Sequence, residues 1–258
     1  HDLEVMPDGT IWVLDRIAHV VPRIHPRNPI LEDYIVELDE DGNELSRISV
    51  LESLERSDYT PIFTHMRPDG DVLHTNTLEV LDGRIADRIP AFAAGNLLIS
   101  IKYLDLIAVI DPNTQSVPWA MTGMWIWQHQ PTVLDNGNLL VFDNLGRSFG
   151  RRGGEDHSRV LEIDPATQEV VWHYTGSRAA PFFTKTCGSN QRLPNGNTLI
   201  SETDNGRAFE VTPTGDIVWE LRNPHRAGPD ENLIAAIFEA IRLPADFPVD
   251  WAQANAAR

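Results

Sequence analysis

Along most of the chain, apolar and polar residues alternate at a period of two in short runs separated by turn pairs, the signature of half-buried antiparallel strands. Three segments align without a gap: HDLEVMPDGTIWVL from His1, HQPTVLDNGNLLVF from His129 and GSNQRLPNGNTLIS from Gly188. Each reads as strand, turn, strand, with Asp8-Gly9, Asn136-Gly137 or Asn195-Gly196 at the turn. These pairs predict type I′ hairpins, in which both turn residues take positive φ. A fourth copy starts at His74 (HTNTLEV) and resumes at Ala94–Ile99 after an insertion. Each copy continues into a second hairpin, read at Tyr34–Leu45, Leu106–Trp119, Ser158–Trp172 and Ala208–Trp219.

Two hairpins make a four-stranded antiparallel sheet. Sheets recurring at spacings of 73, 55 and 59 residues predict an all-β fold, a β-propeller with four recognisable blades over residues 1–225. Because His1 already occupies the repeat position, the chain is expected to be N-terminally truncated, an open arc from a larger propeller of about six blades. In the tail, 226–258, Leu233, Ile234, Ile237, Phe238 and Ile241 follow a helical spacing, with Asp230 able to cap and Pro244 to stop it. A C-terminal amphipathic helix packed on the propeller is expected there.

Composition narrows the function. The chain has 258 residues, of which 21 are Lys or Arg and 38 Asp or Glu, for a formal charge of −17. No basic run interrupts that excess of acid, so a phosphate-tracking surface for nucleic acid is excluded as an expectation. The most apolar stretch, from Asn96 to Ile110, is broken by Lys102 and Asp105, too short for membrane insertion. The single cysteine, Cys187, forms no internal disulfide framework.

In a propeller the innermost strands line a central channel, so residues at one repeat position form a ring. That position reads His1, His74, His129 and Gly188, which predicts that three histidines distant in sequence converge at the channel mouth. Asn76, Gln128 and Gln191 are expected beside them, and Lys102 and Arg147, after second strands, to reach the same space. Trp119, Trp172 and Trp219 share a repeat position and read as blade anchors, whereas Trp125 and Trp127 are candidates for stacking on an aromatic ligand. Several neutral imidazoles can ligate zinc, or they can serve as acid, base or nucleophile toward a sulfuryl or phosphoryl group whose oxygens a guanidinium holds. Composition leaves both open.

The stretches His74-Thr-Asn76, Trp127-Gln128-His129, Phe142-Asp-Asn144 with Gly146-Arg147, and Gly188-Ser-Asn-Gln191-Arg-Leu-Pro-Asn-Gly-Asn197 resemble the arylsulfotransferase family over about residues 1–225. The resemblance implies nucleotide-independent sulfuryl transfer between phenols, an aryl sulfate or phenol as small-molecule partner, no cofactor and no resident metal, and a periplasmic or secreted location. It implies His74, His129 and Arg147 as the catalytic set, moving protons and stabilising the sulfuryl oxygens, with Asn76, Gln128, Trp127, Gln191, Lys102 and His1 as binding residues. The sequence departs from the family at its covalent nucleophile. No histidine lies between His173 and His225, where Gln191 and Thr203 stand instead. A non-catalytic binding module on the family fold is therefore the alternative, and a metal-dependent hydrolase using His1, His74 and His129 is disfavoured by the want of a carboxylate base at the repeat position.

Overall fold

The computed structural model describes residues 2–146 and 157–248. Four four-stranded antiparallel meanders follow one another along the chain. The first comprises β1 (Leu3–Val5), β2 (Ile11–His19), β3 (Ile30–Leu38) and β4 (Glu44–Ser49), with β5 (Gly70–Asp71) added alongside β3. The second holds β6 (Thr75–Val80), β7 (Leu97–Ile101), β8 (Leu106–Asp111) and β9 (Ser116–Thr122). The third holds β10 (His129–Val133), β11 (Leu139–Asp143), β12 (Arg159–Ile163) and β13 (Val170–Tyr174), and the fourth β14 (Ser189–Arg192), β15 (Thr198–Glu202), β16 (Arg207–Val211) and β17 (Ile217–Arg222). These are propeller blades, and they pack in chain order: β1 and β2 on β6, β6 and β7 on β10, β10 and β11 on β14. The middle strands are apolar on both faces because each blade is sandwiched; Leu97–Ile101 and Leu139–Asp143 are wholly buried. None of the described helices is long and apolar enough to cross a membrane.

The first hairpins form where the turn pairs predict, but with a different turn. At Gly9, Gly137 and Gly196 φ is 92°, 84° and 87°, whereas Asp8, Asn136 and Asn195 keep negative φ. The hydrogen bonds Gly9 N to Met6 O and Met6 N to Thr10 O close a three-residue loop, a type I turn followed by a left-handed glycine; Leu134–Asn138 and Leu193–Asn197 repeat the pattern. The residue before each glycine earns its place through its side chain. Asp8, Asn136 and Asn195 each accept the backbone N–H two residues on, at 3.0 Å.

Neighbouring blades are joined at their inner strands by side chains that accept the next blade's unpaired N–H groups. Asp2 takes Leu78 N at 3.0 Å, Glu4 takes Val80 N at 2.6 Å and Glu79 takes Val133 N at 3.0 Å. Burial, with the charges of Glu4 and Asp82 nearby, pushes the Glu79 carboxyl from the ordinary 4.5 up to about 7, against the opposing pull of Val133 N and Arg84. Between those two values the folded chain binds more protons at Glu79 than the unfolded chain does, so its contribution to stability falls as pH rises from 4.5 to about 7. Glu79→Gln keeps an acceptor for Val133 and removes the charge. It is expected to raise stability at pH 8 by on the order of 1 kcal/mol and to change little at pH 4.5, read as urea midpoints at the two pH values.

No helix forms in the described part of the tail, residues 226–248. Gly228, with φ 86°, turns the chain so that β18 (Arg226–Ala227) pairs with β19 (Leu233–Ile234), and residues 235–248 continue without helix or strand, with a turn in which Phe247 N donates to Pro244 O. The apolar stripe is not packed as a helix face would be, since Phe238 is 66% and Ile241 59% exposed. The reason lies in a repeat that helical spacing masks: Arg242-Leu243-Pro244 echoes Arg192-Leu193-Pro194 of β14. Arg192 pairs with Glu162 of the third blade at 2.8 Å and lies 4.9 Å over Trp172. Arg242 pairs with Glu210 of the fourth blade at 2.9 Å and lies 5.2 Å over Trp219. Gln130 Oε1 accepts Asn190 N at 2.9 Å across the third and fourth blades, and Gln191 Oε1 accepts Arg242 N at 2.8 Å across the fourth blade and the tail. The tail thus docks on the fourth blade as the fourth blade's inner strand docks on the third, and its backbone groups are drawn to the propeller instead of to one another. Trp172 and Trp219, expected as blade anchors, are the platforms for these two arginines.

Candidate active site

A cavity of about 430 Å³ opens where the inner strands meet. His74, Asn76, His129, Cys187 and Gly188 line it, and Phe238 and Glu239 of the tail close one side. The shared repeat position therefore brings His74 and His129 to one cavity, together with Asn76. His1 and Arg147 lie outside the described residues. Backbone at the rim is unusual: His74, Trp127 and Cys187 have φ of 57°, 60° and 55°. Left-handed conformations at bulky residues carry strain of about 1–3 kcal/mol each and persist where the surroundings over-determine them.

His129 opens β10 opposite Phe142, just ahead of the strand's bulge, and lines the cavity. Nδ1 stands 2.7 Å from Asn144 Oδ1 and 3.0 Å from the Trp127 carbonyl. The Asn144 amide nitrogen donates to the carbonyls of Thr184 (3.0 Å) and Cys187 (2.6 Å), which leaves its oxygen toward the imidazole. Both neighbours of Nδ1 are acceptors, so the network assigns the proton to Nδ1 and the lone pair to Nε2. Burial lowers the imidazolium pKa to about 4; Asn144 and Trp127 raise it, Lys102 and His74 lower it further. At neutral pH His129 is an uncharged ring with a single free acceptor.

His74 is held differently. Its Nδ1 is 2.5 Å from Asp71 Oδ2, and its ring lies 4.9 Å from that of Tyr103. Burial works against the Asp71 carboxylate, but the His74 hydrogen bond and charge, with Arg16 and Arg67, outweigh it and hold its pKa below the usual value. The two histidines are therefore electrostatically distinct: one backed by a carboxylate, the other by a neutral amide and a carbonyl.

The remaining candidates separate. Asn76 donates its amide to the Gln128 carbonyl at 2.9 Å at the cavity wall. Gln128 turns its own side chain away into the blade, donating to Ser100 Oγ, Leu106 O and Ile101 O, so it braces β10 on the second blade. Gln191 is occupied by both backbone groups of Arg242 and ties down the tail. Trp127 is half-buried behind His129, and Lys102 lies over its ring at 4.8 Å. Trp125 is 1% exposed with its indole N–H on Asp105 O, and it does not line this cavity. Among the described residues, no three His, Cys, Asp or Glu side chains gather as metal ligands do.

Two residues at the centre escaped sequence reasoning. Gln130, at the β10 bulge with φ 43°, donates its N–H to Thr77 Oγ1, accepts Asn190 N on its side-chain oxygen, and donates its side-chain amide to Glu239 at 2.7 Å, knotting three blades and the tail. Asn144 belongs to a Phe-Asp-Asn motif that was visible, but its bond to His129 depends on a pairing fifteen residues apart.

The family model described as arylsulfotransferase (ASST) matches residues 1–224. No curated protein sequence matches the chain. Among solved structures, virginiamycin B lyase from Staphylococcus aureus is similar at 13% identity and TM-score 0.46, over 86% of this chain and 55% of that one. A protein of unknown function from Bacteroides caccae is similar at 14% identity and TM-score 0.46, over 73% and 54%. The β-propeller domain of Cps50 (Swd1) from Myceliophteria thermophila is similar at 12% identity and TM-score 0.46, over 76% and 54%. The chain thus spans about half the length of each of these structures. With the family match running through all four blades, this chain belongs to the arylsulfotransferase family.

Proposed function

We propose that the central cavity binds an aryl sulfate or its phenol, and that any transfer of the sulfuryl group is direct, from donor to acceptor oxygen. The observation that carries this reading is the fixed Nδ1–H tautomer of His129, which presents an uncharged acceptor to the cavity. An acceptor phenol placed there would give its proton to Nε2 as its oxygen bonds to sulfur. The bond from sulfur to the donor oxygen breaks, and the departing phenolate takes the proton that Nε2 received, so His129 returns to its neutral form and the exchange balances. Arg147, by family resemblance, would share the charge of the sulfuryl oxygens.

A second reading, a binding module without catalysis, is favoured by Gly188. The fourth repeat position has no side chain, and no histidine stands where the family's covalent carrier belongs. The test is binding of 4-nitrophenyl sulfate by calorimetry beside release of 4-nitrophenolate with phenol as acceptor. Binding is expected with slow or absent turnover and no sulfuryl-labelled protein, and His129→Ala is expected to weaken binding of phenol, whose O–H donates to Nε2, about tenfold through loss of that hydrogen bond. A stable label on a histidine would replace the direct route by a covalent one. Absence of binding to both ester and phenol would remove the reading altogether.

A further inference from the structure

The central cavity is lined by two unlike sets of groups. From β10 comes His129, a ring only 9% exposed whose Nε2 has no hydrogen-bond partner among the described residues. From the tail come Phe238 and Glu239, and from the residue ahead of β1 comes Asp2. Gln130, next in sequence to His129, donates its side-chain amide to Glu239 Oε1 at 2.7 Å, which holds that carboxylate beside the strand carrying the imidazole. Glu239 Oε2 is left without a hydrogen bond among the described residues. The tail is not loose here: three residues on, Arg242 is fixed to the Gln191 side chain through both of its backbone groups.

Asp2 accepts Leu3 N and Leu78 N, each at 3.0 Å. Burial raises its pKa, the two N–H groups oppose that rise, and the charge of Glu239 adds to it, so the two carboxylates act on each other. Among the described residues no lysine or arginine lines the cavity. His74 already has the Asp71 carboxylate at its Nδ1, and His129 is uncharged at neutral pH. Two acidic groups therefore face the space with no cation set against them, in a chain whose formal charge of −17 has the same sign. Phe238, 66% exposed, adds an aromatic face of the kind that attracts both flat rings and ammonium groups. A free acceptor for a hydroxyl, an aromatic wall and an unmatched negative charge together describe a ligand that is itself aromatic, hydroxylated and cationic.

We propose that Glu239, with Asp2, is the specificity determinant of the cavity and selects phenols that carry a cationic amine, with the phenolic O–H at His129 Nε2, the ring against Phe238 and the ammonium at the two carboxylates. This rests on the reading above for the phenol and adds the charge of the acceptor. The same pair of carboxylates turns away phenols that carry an acid, so selection works by repulsion as well as attraction.

The test is calorimetry on the whole chain at neutral pH with 4-(aminomethyl)phenol, its neutral counterpart 4-(hydroxymethyl)phenol, the anion 4-hydroxybenzoate, and benzylamine, which lacks the phenolic O–H. The aminomethyl compound is expected to bind about tenfold more tightly than the neutral one, and 4-hydroxybenzoate about tenfold more weakly. Raising the salt from about 0.05 M to about 0.5 M is expected to shrink both differences. Glu239→Gln keeps an acceptor for Gln130, and Asp2→Asn keeps one for the backbone. Each is expected to reduce the preference for the amine about threefold and the two together to abolish it, while affinity for 4-(hydroxymethyl)phenol stays native, which a merely loosened tail would not allow. Equal affinity of the native chain for the three phenols, or an amine preference that survives both substitutions, overturns the proposal. Phenols bound without regard to charge leave the phenol reading standing and remove this selectivity. Benzylamine bound as tightly as 4-(aminomethyl)phenol, and lost with both carboxylates, upholds the amine site and removes the phenol reading.

Discussion

Replacing Gly188 with histidine, which would complete the ring of histidines at the repeat position, is expected to destabilise the protein by about 3 kcal/mol and lower its Tm by about 10 °C without adding activity. Gly188 has φ 102°, a conformation that L side chains rarely adopt, and a Cβ there would stand 2.5 Å from Cε1 and Cζ of Phe142. Phe142 cannot yield. It is fully buried, its ring 5.6 Å from that of Phe182 within the core between the third and fourth blades. The conflict is fixed at Cβ, so Gly188→Ala should show nearly the whole loss, and differential scanning calorimetry of both variants separates this from an effect of the imidazole. A Gly188→His protein with native Tm and faster aryl sulfate turnover would mean that the fourth position is open to a catalytic side chain after all. At the fourth repeat position, therefore, the third blade's Phe142 fills the space that a side chain would need.

That point marks where the sequence was and was not informative. The repeat placed His74 and His129 at one cavity because propeller geometry turns a shared register into a shared location, and register survives in a single sequence as Asp-Gly and Asn-Gly turns. Which side chains at that register are free is a matter of contacts between blades, and no local pattern encodes those. Gln128 precedes His129 yet faces the blade interior, since the strand's period of two puts adjacent residues on opposite sides. The tail misled for a related reason. Its spacing of Leu233, Ile234, Ile237, Phe238 and Ile241 suits a helix, but the competing signal, Arg242-Leu243-Pro244, is legible only beside Arg192-Leu193-Pro194 and the Glu210 and Trp219 that await it. Tertiary partners overrode a periodicity that had no buried face to occupy.

The largest single loss is expected from Arg159→Met, by about 3–5 kcal/mol, because it strands a carboxylate that the fold has fully enclosed. Asp143 is 0% exposed, and Arg159 reaches its Oδ2 through Nε at 2.8 Å and Nη2 at 2.5 Å. Burial already raises the Asp143 pKa, with Arg159 and the N–H groups of Ile126 and Gly146 opposing that rise. Without Arg159 the carboxyl must move further up, so the variant's folded state binds more protons there than its unfolded state does. Stability of the variant then rises as pH falls toward the ordinary carboxyl range, and the deficit against the native protein should be greater at pH 8 than at pH 5 in urea unfolding. The site should suffer with the fold. Asp143 Oδ1 holds Ile126 N at 2.9 Å, and the next residue, Trp127, supplies the carbonyl that accepts the His129 Nδ1 proton. Asp143 thus sits one residue before Asn144 in sequence and holds the residue before Trp127 in space, anchoring both partners of the His129 tautomer. Arg159→Met is expected to weaken phenol binding at the Nε2 acceptor even at pH 5, where the chain regains stability, because protonated Asp143 holds Ile126 less firmly than the carboxylate did. Native affinity in a destabilised Arg159→Met protein would show that His129 is set by Asn144 alone, and a deficit equal at the two pH values would show that Asp143 keeps its charge by some route other than the arginine.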